Sequence, residues 1–223
     1  SSQRRVVANA LTWQWYIRNT VTSEVELVSA ADGVVGSPGY WQAPGGNAVM
    51  SDDGRYVAFD VRPNGTTDTA VFVRDRVTHS TTRVTVRMDG TPTQGDAGVS
   101  GISNDGRYVY FWAVDSQLVP DDTNGCTVFR CGADPFVLDR ATAEITRVDT
   151  TINGTRSRIA LSSVMTPDAR WLVWTSASNA GGYRGAYVTD SLTGSTEQVD
   201  VATDGTQARY SVSPMWISDD GQQ

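Results

Sequence analysis

The sequence contains no lysine, a single histidine (His79) and two cysteines (Cys126 and Cys131), and each scarcity closes off a class of chemistry. Without lysine there is no Schiff base and no phosphate-loop lysine. One histidine cannot build a multi-histidine metal centre, and a histidine-dependent nucleophilic triad would have to stand on His79. Two cysteines cannot make a structural zinc site unaided. The longest apolar run, at Trp171-Leu172-Val173-Trp174, falls far short of the roughly 20 residues a membrane span needs. All 18 basic residues are arginines, scattered among 25 acids for a net charge of -7, so the chain lacks the basic face that nucleic acid demands. Sustained helical periodicity with caps is missing too, and almost no helix is expected.

Against these absences stands an internal repeat. Ser51-Asp52-Asp53-Gly54-Arg55-Tyr56-Val57-Ala58-Phe59 returns as Ser103-Asn104-Asp105-Gly106-Arg107-Tyr108-Val109-Tyr110-Phe111. A degraded copy reads Thr166-Pro167-Asp168-Ala169-Arg170-Trp171-Leu172-Val173-Trp174, and a last one begins at Ser218-Asp219-Asp220-Gly221. The marker aspartates 53, 105, 168 and 220 lie 52, 63 and 52 residues apart. A second marker keeps the same step: Val71-Phe72-Val73-Arg74-Asp75-Arg76, Pro135-Phe136-Val137-Leu138-Asp139-Arg140 and Ala186-Tyr187-Val188-Thr189-Asp190-Ser191, with a divergent copy at Trp15–Thr22. A third is the set of Asx-Gly turns at Asp32, Asp89, Asn153 and Asp204. Three markers in one register define a repeat.

Alternating, β-branched runs such as Arg83-Val84-Thr85-Val86 read as half-buried strands, and the Asx-Gly pairs supply the positive φ of tight turns. Each unit then holds about four short antiparallel strands. One such sheet cannot cover both its faces, so successive units must stack. The expected fold is an all-β propeller in a single domain, with repeat units at about 1–51, 52–103, 104–166 and 167–218. The strand at 210–218 would complete a first blade begun by N-terminal strands at 5–10, 13–18 and 24–28, a one-plus-three closure of four blades. A segment of a larger propeller, or a half-ring that pairs with a second copy, reads equally well from these residues.

The Asp53-Gly54-Arg55-Tyr56-Val57-Ala58-Phe59, Val71-Phe72-Val73-Arg74-Asp75-Arg76 and Thr81-Thr82-Arg83-Val84 segments, with Val119-Pro120-Asp121-Asp122-Thr123-Asn124-Gly125, resemble the TolB-type, WD-repeat-like β-propeller repeats of bacterial proteins. The resemblance implies the propeller fold over nearly the whole chain. It implies little about activity, because such propellers serve as binding platforms, periplasmic scaffolds and accessory domains of peptidases and lyases.

Cys126 and Cys131 sit five positions apart, outside the CxxC redox spacing. They are expected to form a short-loop disulfide in an oxidising compartment, with two buried thiols as the alternative. That places the chain outside the cell, at its surface or in a periplasm. Asp121, Asp122 and Asn124, closely spaced before a glycine, are the candidate binding residues and could offer oxygens to calcium, although the full EF-hand spacing is missing. No other cofactor is implied. His79 is expected on an exposed turn, at the position where resembling repeats carry glycine. The repeat arginines are expected to lay their stems across the neighbouring blade. Phe59, Phe111 and Trp174 share one register position and mark core, whereas Trp112 falls one step later, faces the other way and is a candidate contact for a ligand. The functional expectation is a non-catalytic module that binds a protein or glycan through one propeller face, chiefly the loop 116–134. A glycan lyase or hydrolase working with Asp and Arg in the central funnel is the rival, and self-assembly into a surface polymer a third reading.

Overall fold

The computed structural model describes residues 14–36, 39, 41–120, 122, 133–148, 151–152, 155–156, 159–166, 168–176, 185–191, 193–206 and 217–218. No helix occurs among them. A hairpin, β1 (Tyr16–Arg18) and β2 (Val25–Leu27), precedes three four-stranded antiparallel sheets, each ordered as a simple meander. Blade I is β3 (Trp41–Met50), β4 (Tyr56–Pro63), β5 (Ala70–Asp75) and β6 (Ser80–Arg83). Blade II is β7 (Ala97–Ile102), β8 (Tyr108–Ala113), β9 (Asp134–Asp139) and β10 (Glu144–Arg147). A two-stranded ribbon, β11 (Thr151–Ile152) and β12 (Thr155–Arg156), leads to blade III: β13 (Ile159–Met165), β14 (Trp171–Ser176), β15 (Ala186–Asp190) and β16 (Thr196–Gln198). The first strand of each blade carries a register shift, at Val99/Gly101 in β7 and Ile159/Ser163 in β13 and at two places in β3. Such bulges bend the strand and strengthen its twist.

The repeat motif folds the same way each time. Ser51, Ser103 and Thr166 donate their hydroxyls to Asp53, Asp105 and Asp168 at 2.6–2.7 Å, and these carboxylates accept the backbone N–H of Arg55, Arg107 and Arg170. The hydroxyl, then the backbone donor, holds the Asp53 and Asp105 carboxyls below the usual range. The turn needs a left-handed residue, which Gly54 (φ 71°) and Gly106 (φ 70°) supply freely. Ala169 adopts the same conformation (φ 63°) with a Cβ to accommodate. Ala169→Gly is therefore expected to stabilise the chain by about 1 kcal/mol, a rise in Tm of roughly 2–4 °C by thermal melting.

The repeat arginines depart from expectation. Arg55 grips Asp75 of its own blade through two hydrogen bonds, 3.2 and 2.8 Å, Arg107 does so with Asp139 at 2.9 and 2.7 Å, and Arg170 reaches Asp190 at 3.3 Å. The forked guanidinium matches a carboxylate across the sheet better than it covers a neighbour. Arg107 holds the Asp139 carboxyl down to about 2, and Arg55 likewise depresses Asp75. It is the next arginine in the repeat that leaves its blade: Arg76 pairs with Glu26 of β2 at 2.7 Å.

Packing repeats as well. Phe59–Phe72, Phe111–Phe136 and Trp174–Tyr187 are directly opposed cross-strand pairs, stacked with centroids 6.1, 5.6 and 4.7 Å apart. Each pair faces the preceding unit. Phe59 and Phe72 pack with Val28 and the edges of Trp15 and Ile17 from the hairpin. Phe111 and Phe136 pack with Ala58, Val71 and Val73 of blade I, and Trp174 and Tyr187 with Tyr110 and Val137 of blade II. Stacked faces of this kind supply the burial that a lone four-stranded sheet lacks. The β1–β2 hairpin thus sits where the outer hairpin of a preceding blade would. The closing strands at 5–10 and 210–216 lie outside the described residues.

Candidate functional site

Each blade has its β7–β8-type and β9–β10-type turns at one end and its longer connections at the other. Between successive blades the sheets diverge toward their outer strands, and among the described residues the gaps form two grooves. The larger, about 780 Å³, lies between blades I and II. Its floor is apolar: Val73 and Val84 from blade I, Leu138 and Ile145 from blade II, with Leu118 and Val119 closing one end. Met88, 63 % exposed, stands on its rim. Arg83, Arg87 and Arg140 flank it, against one acid among the described residues, Glu144. Arg87 is matched by Asp115 at 2.7 Å. Arg83 donates to the carbonyl of Thr85 (2.8 Å), and burial pushes its guanidinium below the usual range.

The smaller groove, about 520 Å³, lies between blades II and III over Tyr108. Strand β10 is the ridge between the two: Glu144 lines both, Ile145 the first, Thr146 and Arg147 the second.

The loop expected to bind meets this ridge. Leu118, Val119 and Pro120 wall the larger groove, and Asp122 is held inside by Arg147. Arg147 Nη1 donates to Asp122 at 3.0 Å and Nη2 to Asp134 at 2.5 Å, and all three side chains are at most 6 % exposed. Asp122 already holds a cation, so its carboxylate is committed to anchoring the loop rather than presented to solvent. Asp121 and Asn124, the other calcium-ligand candidates, lie outside the described residues, as do Cys126 and Cys131. Trp112 does face away from Phe111, and its indole lies across Gly98, where a Cβ would come within 2.6 Å of Nε1. That half-buried ring packs on its own sheet. His79 occupies the left-handed turn position (φ 57°) shared with Ser23, Ala143 and Gly194, as the repeat implies. It is half-buried rather than exposed, because its carbonyl is drawn onto Arg74 at 2.6 Å.

One buried acid was invisible in the sequence. Asp60, at the register position of Trp112, is 3 % exposed and has no ion-pair partner among the described residues. It accepts the backbone N–H of Asn47 at 3.0 Å, inside the β3 bulge, and that of Val99 at 3.4 Å on the next blade. Asn47 Nδ2 donates to the Val99 carbonyl in return, at 3.3 Å. Burial pushes the Asp60 carboxyl up to about 6, against the backbone donors. A carboxyl raised in the folded state favours folding below its unfolded value near 4 and loses that contribution as pH climbs through 6. From pH 4 to 7 Asp60 is expected to cost roughly 2–3 kcal/mol, read as a falling urea midpoint, and Asp60→Asn to flatten that slope. An unchanged slope in the variant would remove Asp60 as its cause.

No family model matches the chain, and no curated protein matches it in sequence. Among solved structures it is similar to TolB from Acinetobacter baumannii, with a TM-score of 0.53 and 16% identity over 87% of this chain and 39% of that one. It is similar to a putative TolB from Agrobacterium tumefaciens, with a TM-score of 0.55 and 16% identity over 85% of this chain and 55% of that one. The tricorn protease matches with a TM-score of 0.53 and 13% identity over 94% of this chain and 22% of that one. The chain therefore spans between 39% and 55% of the two TolB structures it resembles. Identity at this level speaks for architecture alone. With stacked four-stranded meanders, aromatic pairs facing each preceding blade and these structural neighbours, the chain has a TolB-like β-propeller fold.

Proposed function

We propose that the chain is a non-catalytic β-propeller module that binds a protein partner through its inter-blade grooves, outside the cytoplasm in a periplasm or at a cell surface. The observation that carries this reading is the groove of about 780 Å³ between blades I and II, apolar on its floor and flanked by arginines. An apolar centre with a polar, arginine-bearing rim is the usual make-up of a protein-binding surface. The repeat's carboxylates and arginines support the same reading. Asp75 and Asp139 are matched within the blade and Asp53, Asp105 and Asp168 are tied into turns, which leaves these groups to structure rather than acid–base work. The resemblance to TolB repeats favours the extracytoplasmic setting.

The test is capture from a bacterial cell-envelope extract by the immobilised chain and by Met88→Asp, whose exposed side chain can change without disturbing the core. A protein retained by the parent chain and lost from the variant is the expected result. Equal capture by both, or retention of glycan with no protein, would overturn the reading.

A further inference from the structure

The joint between blades I and II is closed by an arginine at the end where the Asp-Gly-Arg turns lie. The Tyr56 ring lies against Gly106, so closely that a Cβ at Gly106 would come within 2.0 Å of the ring. Two guanidiniums lie over the ring. One is Arg55, its own neighbour, 4.7 Å from the centroid; the other is Arg140, arriving from blade II, at 4.5 Å. Arg140 Nη1 also donates to the Gly106 carbonyl at 2.6 Å.

Tyr108 is the counterpart of Tyr56 one repeat on, and carries its own neighbour Arg107 at 4.9 Å. The residues that meet it from blade III differ. Ala169 stands where Gly106 stood, and Ser191 where Arg140 stood. Ser191 still bonds the turn carbonyl, Oγ to Ala169 O at 2.8 Å, but among the described residues no guanidinium crosses from blade III to the ring. What remains over Tyr108 is the groove of about 520 Å³.

Its electrostatics match the missing group. Of the arginines that reach the groove, Arg147 is held by two carboxylates and Arg170 by Asp190. Glu144 and Asp168 line the same groove, both exposed; Asp168 Oδ1 accepts from Thr166 Oγ1 and the Arg170 N–H within its turn, but neither carboxylate has an ion-pair partner among the described residues. An aromatic face beside two such carboxylates selects a flat, delocalised cation that can stack and hydrogen-bond at once. A lysine ammonium meets only half of that description. We infer that the groove over Tyr108 is a seat for an arginine side chain of a protein partner, in the place that Arg140 fills one joint earlier. The seat itself follows from comparing the two joints; that its occupant belongs to a protein rests on the reading in the preceding section.

The test uses N-acetyl-arginine amide, with the lysine and citrulline amides as controls, titrated into the full chain with isotope-labelled tyrosine rings. The expected result is a saturable shift of the Tyr108 ring resonances, with a Kd on the order of millimolar for so small a probe. Citrulline, which has the shape without the charge, should give none. Glu144→Gln and Asp168→Asn, both at exposed positions, should each weaken the Kd about threefold, and together about tenfold. Ser191→Arg with Ala169→Gly rebuilds the blade I–II joint in place, and should abolish the response to the probe. The inference is overturned if Tyr108 shows no saturable shift, if citrulline matches arginine, or if the rebuilt joint still binds the probe. The amide reads the seat whether or not a partner is captured, so failure here and failure of the protein-binding reading are separable.

Discussion

Arg147→Met is expected to lower stability by about 3–5 kcal/mol at neutral pH. The methionine keeps the length of the stem but removes the cation shared by Asp122 and Asp134, whose side chains are 3 % and 1 % exposed. Two carboxylates would then face each other in a dry pocket with their charge uncompensated. The loss falls where blade II meets its long connection, because Asp134 opens β9 and Asp122 belongs to the connection between β8 and β9. A control distinguishes lost charge balance from lost packing. Arg147→Met combined with Asp122→Asn and Asp134→Asn removes the charges together, and should recover most of the loss in urea titration. If the triple variant is no more stable than the single, packing of the stem would be the dominant contribution and the ion network a minor one.

Arg74→Met is expected to cost about 3 kcal/mol, a fall in Tm of roughly 6–12 °C. Arg74 is 1 % exposed and has no carboxylate partner among the described residues. Its two terminal nitrogens donate to the carbonyls of Ala31 (3.1 Å), His79 (2.6 Å) and Val34 (2.6 Å) and to Thr81 Oγ1 (3.0 Å). Burial pushes this guanidinium below its usual range. The side chain pins the connection leaving β2 onto blade I, where Thr81 N–H also donates to Asp32 at 2.8 Å. Removing it leaves the Val34 carbonyl without a donor among the described hydrogen bonds, and takes a second donor from those of Ala31 and His79, which keep the N–H of Val34 (3.2 Å) and Gly33 (2.9 Å). Amide exchange at 31–34 should rise with the loss of stability; exchange unchanged there would mean that the connection is held by other bonds.

These two arginines show where the sequence stops being informative. The three repeat markers place the turns, the strands and the shared core position of Phe59, Phe111 and Trp174, because each depends on residues close in sequence or on a fixed step between copies. The left-handed turn position at Ser23, His79, Ala143 and Gly194 was visible for the same reason: one copy in four is glycine. Arg74, by contrast, stands where the other copies have Leu138 and Thr189, and two of its acceptors lie 40 and 43 residues earlier, on either side of the Asp32-Gly33 turn. Asp60 is buried by a bulge in β3 and by Val99, 39 residues on. Nothing local marks either as buried. Asp122, a candidate calcium ligand by sequence, pairs with Arg147, 25 residues away at the end of a short outer strand. The vacant seat over Tyr108 needed both levels. The replacement of Arg140 by Ser191 is legible in the alignment of repeats, and its consequence appears only where Tyr56 and Tyr108 meet their neighbours.

The same comparison explains why the grooves lie where they do. Stacked blades touch through β3, β7 and β13, the first strand of each sheet, and part toward the fourth. Leu138 and Ile145 are therefore left half-buried at the rim, above the buried Val73 and Val84. A binding partner that inserts there would extend the inter-blade core.

Hydrogen–deuterium exchange of the chain, alone and bound to the protein captured through Met88, tests the central claim most directly. Partner binding through the grooves predicts added protection at 82–90, 118–120 and 143–147, and at 168–170 if an arginine enters the seat over Tyr108. Protection confined to β3, β7 and β13, with the outer strands unchanged, would contradict it.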